Sequence, residues 1–348
     1  MSKIRVLIIE DSAVIREFLC YIIGRDPRLA VAAAVESAEA ALKILDRVSP
    51  DVISLDIRLP GMNGLEATRR IMSRRPTPIV VVSASVEAED LKITMSALQA
   101  GALAVVEKPL GSTQSQYESL AERICTQLAI MSQVQVVRQR FPRGRRPAPA
   151  PAKPLPNSYR VLAVAASTGG PNALMVLLSG LGKDFPLPIA VVQHITPSFL
   201  AGFASWLASV CPCPVELVAG RQAMAPGRVY MATADRHLRV EQGCVRVDAG
   251  DPVCAQRPSA TVLFESMAQS LGPHALGALL TGMGEDGAEG LLAVHQAGGF
   301  CIAEDASTAV VNGMPAAAAR LGAAHELLPL PAIAPRIVEL ISNHGEGE

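Results

Sequence analysis

Short, unbroken apolar runs recur through this chain, and most of them stop on a residue capable of chemistry: RVLIIED, DVISLD, PIVVVS, AVVEKP, VLAVAAS and PIAVVQH. Runs of this length suit strands buried on both faces and are short for helices. Amphipathic stretches lie between them, as where Ser12 precedes Val14, Ile15, Phe18, Leu19 and Ile22 at helical spacing, a candidate N-cap. Buried strands alternating with such helices predict parallel sheets covered on both sides. The carboxyl ends of parallel strands share one edge, where ligands bind. The polar residues that stop the runs are therefore expected to be neighbours in space.

The rhythm breaks once, in the segment RQRFPRGRRPAPAPAKPLPNSY between Arg138 and Tyr159. It has no apolar periodicity, and its alternating prolines favour extended chain. Its basic half reads as a solvated tether, with contact to phosphate or an acidic partner as the alternative. Expected strands before the break are Arg5–Ile9, Val31–Val35, Asp51–Leu55, Ile79–Val82 and Ala104–Val106. After it come Arg160–Ala166, Pro188–Gln193, Ala278–Thr281 and Phe300–Ala303, plus a hairpin in which LRV and VRV flank Glu241-Gln242-Gly243-Cys244. The chain of 348 residues thus reads as two α/β domains with mainly parallel sheets, joined by a proline-rich linker.

Composition narrows the function classes. Half the residues are hydrophobic and 18% are charged, which excludes a mainly disordered chain. A net charge of −1 argues against nucleic-acid binding through bulk charge. No apolar run approaches the roughly 18 residues of a membrane span, and MSKIRVLIIEDS is unlike a secretory signal. Seven scattered cysteines without a CxxC pair fit neither a disulfide framework nor a structural zinc site. A cytoplasmic location without membrane insertion is expected.

In the first domain Glu10 and Asp11, Asp56, Ser83 and Lys108 stand at four strand ends. Each alone could be a turn or cap residue. Together they place three carboxylates on one edge, which repel unless a cation sits among them, and hard oxygen ligands suit Mg²⁺. A lysine and a hydroxyl beside such a site call for a phosphoryl group. Asp56 as nucleophile would form an acyl phosphate. The segments VLIIEDS, SLDIRLPGMNG, VVVSAS and EKP resemble the receiver domain of two-component response regulators. That resemblance implies Asp56 as phospho-acceptor, Asp11 and Asp56 as direct Mg²⁺ ligands, Glu10 acting nearby, and Ser83 and Lys108 as the switch pair. Glu10 stands where Asp is commoner, and Asn63 where Met-Asp-Gly is usual.

In the second domain VLAVAASTGGP leads a strand into a glycine turn and a helical stretch, exposing Ser167 beside a helix N-terminus. Taken alone, this could be a phosphate-binding loop or a capped helix start. PIAVVQH places His194 at the next strand end, and LGALLTGMGEDG places Asp286 just past another. A serine nucleophile, a histidine base and an aspartate that orients it are what acyl transfer requires, with backbone amides of the glycine loops as oxyanion donors. Alone, His194 would be a packing residue and Glu285-Asp286-Gly287 a turn. ASTGGP, QHITPSF, RPSATVLFES, LTGMGEDGAEGL and VVNGMP resemble the chemotaxis response-regulator protein-glutamate methylesterases of the CheB type, over nearly the whole chain.

With the receiver resemblance, this one implies an N-terminal doubly wound, flavodoxin-like receiver domain over 1–125, a helix end and Pro/Arg-rich linker over 126–157, and a C-terminal α/β hydrolase-type domain with a mainly parallel sheet over 158–348. It further implies Ser167 as nucleophile, His194 as base and acid, Asp286 as its partner, Thr168 beside the histidine, and the Met283 amide as oxyanion donor. It implies demethylation, and glutamine deamidation, of methyl-accepting chemotaxis receptors, with a cognate histidine kinase as phosphodonor. It also implies an unphosphorylated receiver that covers the hydrolase cleft. The esterase chemistry itself needs no cofactor. Glu285 stands where the family often has Asn, Thr261 where an Asp is common, and MATADRHL lacks the usual Ala-Pro. The rival readings are a transcriptional response regulator, which would need a helix-turn-helix with a basic face, and a non-enzymatic scaffold under receiver control.

Overall fold

The computed structural model describes residues 3–83, 88–108, 114–134 and 159–342. They fall into two compact units, Met1–Phe141 and Pro142–Glu348. The Arg138–Asn157 part of the linker lies outside the described residues, so the expectation of an extended tether falls outside them too.

The first unit alternates β1 (Ile4–Ile9), α1 (Ala13–Arg25), β2 (Leu29–Val35), α2 (Ala38–Val48), β3 (Val52–Leu55), α3 (Gly64–Arg74), β4 (Ile79–Ser83), α4 (Ala88–Gln99), β5 (Ala104–Glu107) and α5 (Gln114–Met131). All strand pairs are parallel, in the order β2-β1-β3-β4-β5. β3 and β4 are buried along their whole length, as the unbroken apolar runs require. Ser12 does cap α1, its hydroxyl accepting from Ile15 N. Asn63 caps α3 through its Oδ1, which accepts from Glu66 N at 3.0 Å. An aspartate would make the same bond there, so this departure from the receiver pattern is locally neutral.

The second unit runs β6 (Val161–Ala166), α6 (Gly170–Leu181), β7 (Ile189–Gln193), α7 (Pro197–Val210), β8 (Val215–Val218), β9 (Arg221–Ala223), β10 (Val229–Ala232), β11 (His237–Glu241), β12 (Cys244–Asp248), α8 (Ala260–Leu271), β13 (Ala275–Leu279), α9 (Ala288–Gln296), β14 (Phe300–Glu304), α10 (Met314–Arg320), β15 (Glu326–Leu328) and α11 (Leu330–Ser342). Seven strands form a parallel sheet in the order β15-β14-β13-β6-β7-β10-β8. The chain enters at β6 in the middle, winds one way to β7, and later the other way from β13. Right-handed crossovers then send the connecting helices to opposite faces: α6 packs with α7 and α11, and α9 with α8 and α10. The switch of direction falls at β6, and in open α/β sheets ligands bind at the carboxyl end of such a switch point.

The expected hairpin is present. β11 and β12 pair antiparallel with Glu241 opposite Cys244, and the two-residue turn between them has φ of 47° at Gln242 and 78° at Gly243, the mark of a type I′ connection. With β9 they make a separate three-stranded sheet, whose Leu238, Val240 and Val245 join the core around Phe264 and Met267 of α8.

One strand is misplaced by the sequence reading. The expected Ala278–Thr281 is observed as Ala275–Leu279, so Thr281 belongs to the loop beyond. The strand passes through Gly277, where an added Cβ would lie 2.7 Å from Leu291 Cδ1. This glycine lets α9 sit close on the sheet, although in the sequence it looks like an interruption. Strands β8, β9, β10 and β15 were not expected.

Candidate functional site

Every polar residue singled out in the first unit ends a strand or directly follows one. Glu10 and Asp11 follow β1, Asp56 follows β3, Ser83 closes β4 and Lys108 follows β5. Glu10, Asp56, Ser83 and Lys108 are buried, and Asp11 is exposed. Lys108 Nζ lies 2.8 Å from Asp56 Oδ2 and 2.8 Å from Glu10 Oε2, and donates to Glu10 Oε1 at 3.0 Å. Asp56 Oδ1 accepts from Arg58 N at 3.2 Å, and Glu10 Oε1 from Ser12 N at 3.2 Å.

One lysine does not balance three acids. Burial, then the charge of Asp56, pushes the Glu10 carboxyl up to about 7 despite Lys108. Burial also raises Asp56, against the pull of Lys108. Each of Glu10, Asp11 and Asp56 offers an oxygen, and these oxygens lie within 4.8 Å of one another. Glu10 Oε2 is buried, and its 2.8 Å approach to Lys108 Nζ is an ion pair without hydrogen-bond geometry. An all-oxygen donor set with surplus negative charge fits Mg²⁺.

In the second unit Ser167 follows β6 directly and His194 follows β7 directly. His194 N donates to Ala166 O at 3.0 Å, so the histidine and the serine stand at adjacent strand ends. Gly169 turns the chain from Ser167 into α6 with φ of 79°, and an added Cβ there would meet Val310 Cβ at 2.6 Å. No side chain fits that turn.

Asp286 reaches the site differently. It lies seven residues beyond the end of β13, just ahead of α9, and its carboxylate accepts four hydrogen bonds. His194 Nε2 binds Oδ2 at 2.8 Å and Ala260 N donates to Oδ2 at 2.7 Å, while Ser259 Oγ and Thr261 N donate to Oδ1 at 2.7 and 3.1 Å. Ser259 is the N-cap of α8, so the carboxylate sits on the positive end of that helix. Burial would raise its pKa, but the bond and charge of His194, with Ser259 and Ala260, hold it below the ordinary carboxylate value. A carboxylate partner on Nε2 makes that nitrogen the proton carrier and leaves Nδ1 as the basic one.

The departures from the family pattern find places around this aspartate. Thr261 Oγ1 accepts from Gly287 N at 2.8 Å, fixing the residue after Asp286. Glu285 is exposed and pairs with Arg320 at 2.8 Å, outside the carboxylate's hydrogen-bond shell. Met283 is 43% exposed on the loop after β13. Thr168 is half-buried, with its carbonyl accepting from Thr281 Oγ1 at 2.9 Å.

Two contributors escaped the sequence reading. The Gln193 amide, buried at the end of β7, donates from Nε2 to Ser167 O at 2.8 Å and to His194 O at 2.9 Å, tying the serine and the histidine by their main chains. A polar residue ending an apolar run was the available sign. Ser259 gave no comparable sign, because its partner lies 27 residues away.

The chain is similar to known proteins over both of its units. The family model for CheB methylesterase matches residues 162–337, and that for the response regulator receiver domain matches residues 6–117. Protein-glutamate methylesterase/protein-glutamine glutaminase 2 of Paramagnetospirillum magneticum is 56% identical over 345 residues, covering 97% of this chain and 98% of that protein. Protein-glutamate methylesterase/protein-glutamine glutaminase 4 of Myxococcus xanthus is 43% identical, covering 99% of each. The crystal structure of the Thermotoga maritima CheB methylesterase catalytic domain superposes with a TM-score of 0.51 at 35% identity, over 53% of this chain and all of that one. No helix among the described residues is long and apolar enough to cross a membrane. From its two matched domains and its end-to-end likeness to these relatives, the chain belongs to the CheB methylesterase family, with a response regulator receiver domain at its N-terminal end.

Proposed function

We propose that this chain hydrolyses glutamate γ-methyl esters on methyl-accepting chemotaxis receptors, releasing methanol, and deamidates receptor glutamines, both in the cytoplasm and under the control of phosphorylation at Asp56. The observation that carries the reading is the 2.8 Å contact between His194 Nε2 and Asp286 Oδ2, next to a serine at the adjacent strand end. His194 Nδ1 takes the Ser167 proton as Oγ attacks the ester carbonyl. Asp286 stabilises the imidazolium that forms. The Met283 amide donates to the tetrahedral oxyanion, and Thr168 flanks the pair. His194 then returns the proton to the departing methanol, and a water molecule repeats the sequence on the acyl-serine. Ester and primary amide pass through the same kind of tetrahedral intermediate, so deamidation needs no second site.

In the receiver, Asp11 and Asp56 would hold Mg²⁺, with Glu10 beside them. When bound, the ion neutralises the phosphoryl oxygens. Asp56 accepts the phosphoryl group from a cognate histidine kinase, Lys108 offsets the added charge, and Ser83 supplies a hydroxyl to a phosphoryl oxygen. The esterase half requires no metal. The deciding experiment is methanol release from methylated receptor, with and without a phosphodonor, beside labelling by a serine-directed fluorophosphonate. Methanol release that rises with phosphodonor and label on Ser167 support the reading. A folded protein that neither labels nor releases methanol refutes it.

A further inference from the structure

Glu304 is a buried acid that this mechanism does not use. It closes β14, at the same sheet edge as Ser167, and is 1% exposed. Both of its oxygens are engaged: Oε2 accepts from Thr281 N at 2.8 Å, and Oε1 from Thr308 Oγ1 at 3.0 Å. Thr308 Oγ1 in turn accepts from Leu330 N at 2.9 Å, at the start of α11. No cation stands against it among the described residues, and burial raises its pKa against these two bonds. A buried carboxylate held this way costs stability that an apolar residue at the same place would spare.

What it holds is Thr281. That residue touches the nucleophile turn twice: its carbonyl accepts from Ser167 N at 3.0 Å, and its hydroxyl donates to Thr168 O at 2.9 Å. The hydroxyl also accepts from Val311 N at 2.9 Å. The next residue, Gly282, accepts from Gly313 N and Met314 N through its carbonyl, and Met283 follows it. Thr281 is therefore the joint between the Ser167 turn, the loop that carries Met283, and the loop ahead of α10. Of its backbone and side-chain polar groups, the N–H is the one that Glu304 takes.

We propose that Glu304 is a positioning residue for the hydrolytic reaction: through Thr281 it fixes the Ser167 turn and the Met283 loop in their working geometry. The proposal rests on the serine-hydrolase reading above. A displacement of about 1 Å at a reacting group can cost on the order of 10²-fold in rate, so loss of this anchor should act on turnover more than on binding.

The test uses the full-length protein with phosphodonor, and two readouts: methanol release from methylated receptor, and the rate of Ser167 labelling by a fluorophosphonate. Glu304→Ala should lower kcat and the labelling rate by about tenfold or more, with KM within about twofold and the circular dichroism unchanged. Glu304→Gln keeps an oxygen for Thr281 N, and should stay within about threefold of wild type. Should Glu304→Ala fold poorly, Glu304→Met decides, because it removes both carboxylate oxygens while filling the same space, and it should show the same loss of kcat. Thr281→Val removes the hydroxyl's bonds to Thr168 O and Val311 N and so loosens the same joint from its other side; it should also lower kcat, with Thr281→Ser restoring it. Where both variants fold, the double variant should be no more than about twofold slower than the worse single one, since the two residues act along one route. Wild-type rates in Glu304→Ala, a defect confined to KM, or independent multiplying losses overturn the proposal. A wild type that labels at Ser167 but releases no methanol refutes the methylesterase reading alone, and the labelling rates then judge Glu304. A wild type that does not label overturns both.

Discussion

The two polar centres of this protein lie at the same kind of place, the carboxyl edge of a parallel sheet, yet they treat negative charge in opposite ways. In the receiver, Glu10 and Asp56 face each other across Lys108, and both carboxyls are pushed up, by burial first. In the catalytic unit Asp286 is as deeply buried, yet is held below its ordinary value by four donors, two of them main-chain amides at the start of α8. A helix end compensates a carboxylate permanently. Two carboxylates sharing one lysine leave a demand for positive charge that an ion can meet. The first arrangement suits a fixed catalytic group, and the second suits a site that receives and loses a charged ligand.

The largest effects separate the two centres by readout. Ser167→Ala should abolish fluorophosphonate labelling and reduce methanol release to background while leaving the Asp56 phosphoryl adduct intact. His194→Ala should cost at least about 10²–10⁴-fold in turnover, the usual share of a positioned acid–base group. Asp56→Asn should remove the adduct seen by intact mass after acetyl phosphate and Mg²⁺, as should EDTA in the wild type. It should leave labelling of Ser167 measurable. An adduct that persists in Asp56→Asn would move the acceptor elsewhere.

Aspartate-to-asparagine exchange at both centres sharpens the contrast. Asp286→Asn turns an amide group toward donors that need acceptors, and it disturbs the histidine tautomer. Turnover should fall by about 10³–10⁴-fold, and stability by about 1–3 kcal/mol for the donors left unpaired. Asp56→Asn should not destabilise in metal-free buffer, because it removes one of two acids crowding Lys108. Equal losses of stability in thermal unfolding would mean that the two pockets are compensated alike.

The coupling between the units should be smaller than either chemical loss. A fragment of residues 158–348 is expected to release methanol several-fold faster than the unphosphorylated full-length protein, and to ignore phosphodonor. A phosphoryl group can shift an equilibrium only by as much as it favours one state over the other. Initial rates on the same methylated receptor, with folding checked by circular dichroism, decide it. A folded fragment no faster than the unphosphorylated whole would mean that the receiver does not restrain the esterase.

The smallest effect tests the compensation of Asp286 itself. Ser259→Ala deletes one of its four donors and the N-cap of α8, worth about 1 kcal/mol. Because the folded Asp286 pKa lies below the unfolded value, its contribution to stability is present above that unfolded value and is lost as pH falls through the folded one. With a donor removed, the folded pKa rises, so acid unfolding of Ser259→Ala should begin at higher pH. An unshifted acid transition would show that Ser259 contributes nothing to holding the charge.

The sequence by itself determined which residues could share an edge. Apolar runs ending in Glu10-Asp11, Asp56, Ser83, Lys108, Ser167 and His194 are local patterns, and parallel pairing brings their ends together whatever else the chain does. The hairpin turn at Gln242-Gly243 was legible for the same reason, since two adjacent residues set its geometry. Tertiary structure decided the rest, wherever the partner is far along the chain. The Asp286 carboxylate takes its shape from Ser259, Ala260 and Thr261, which no periodicity links to it. The run up to Thr281 reads locally as strand, yet the pairing of β13 with β6 and β14 ends at Leu279 and leaves Thr281 on the loop, where Glu304 meets its N–H. β10 enters the sheet between β7 and β8, an order that depends on which edge the returning chain can reach. Local composition settles the character of a strand and of the residue that ends it. Its neighbours, and the charge they impose on that residue, are settled only when distant segments close on one another.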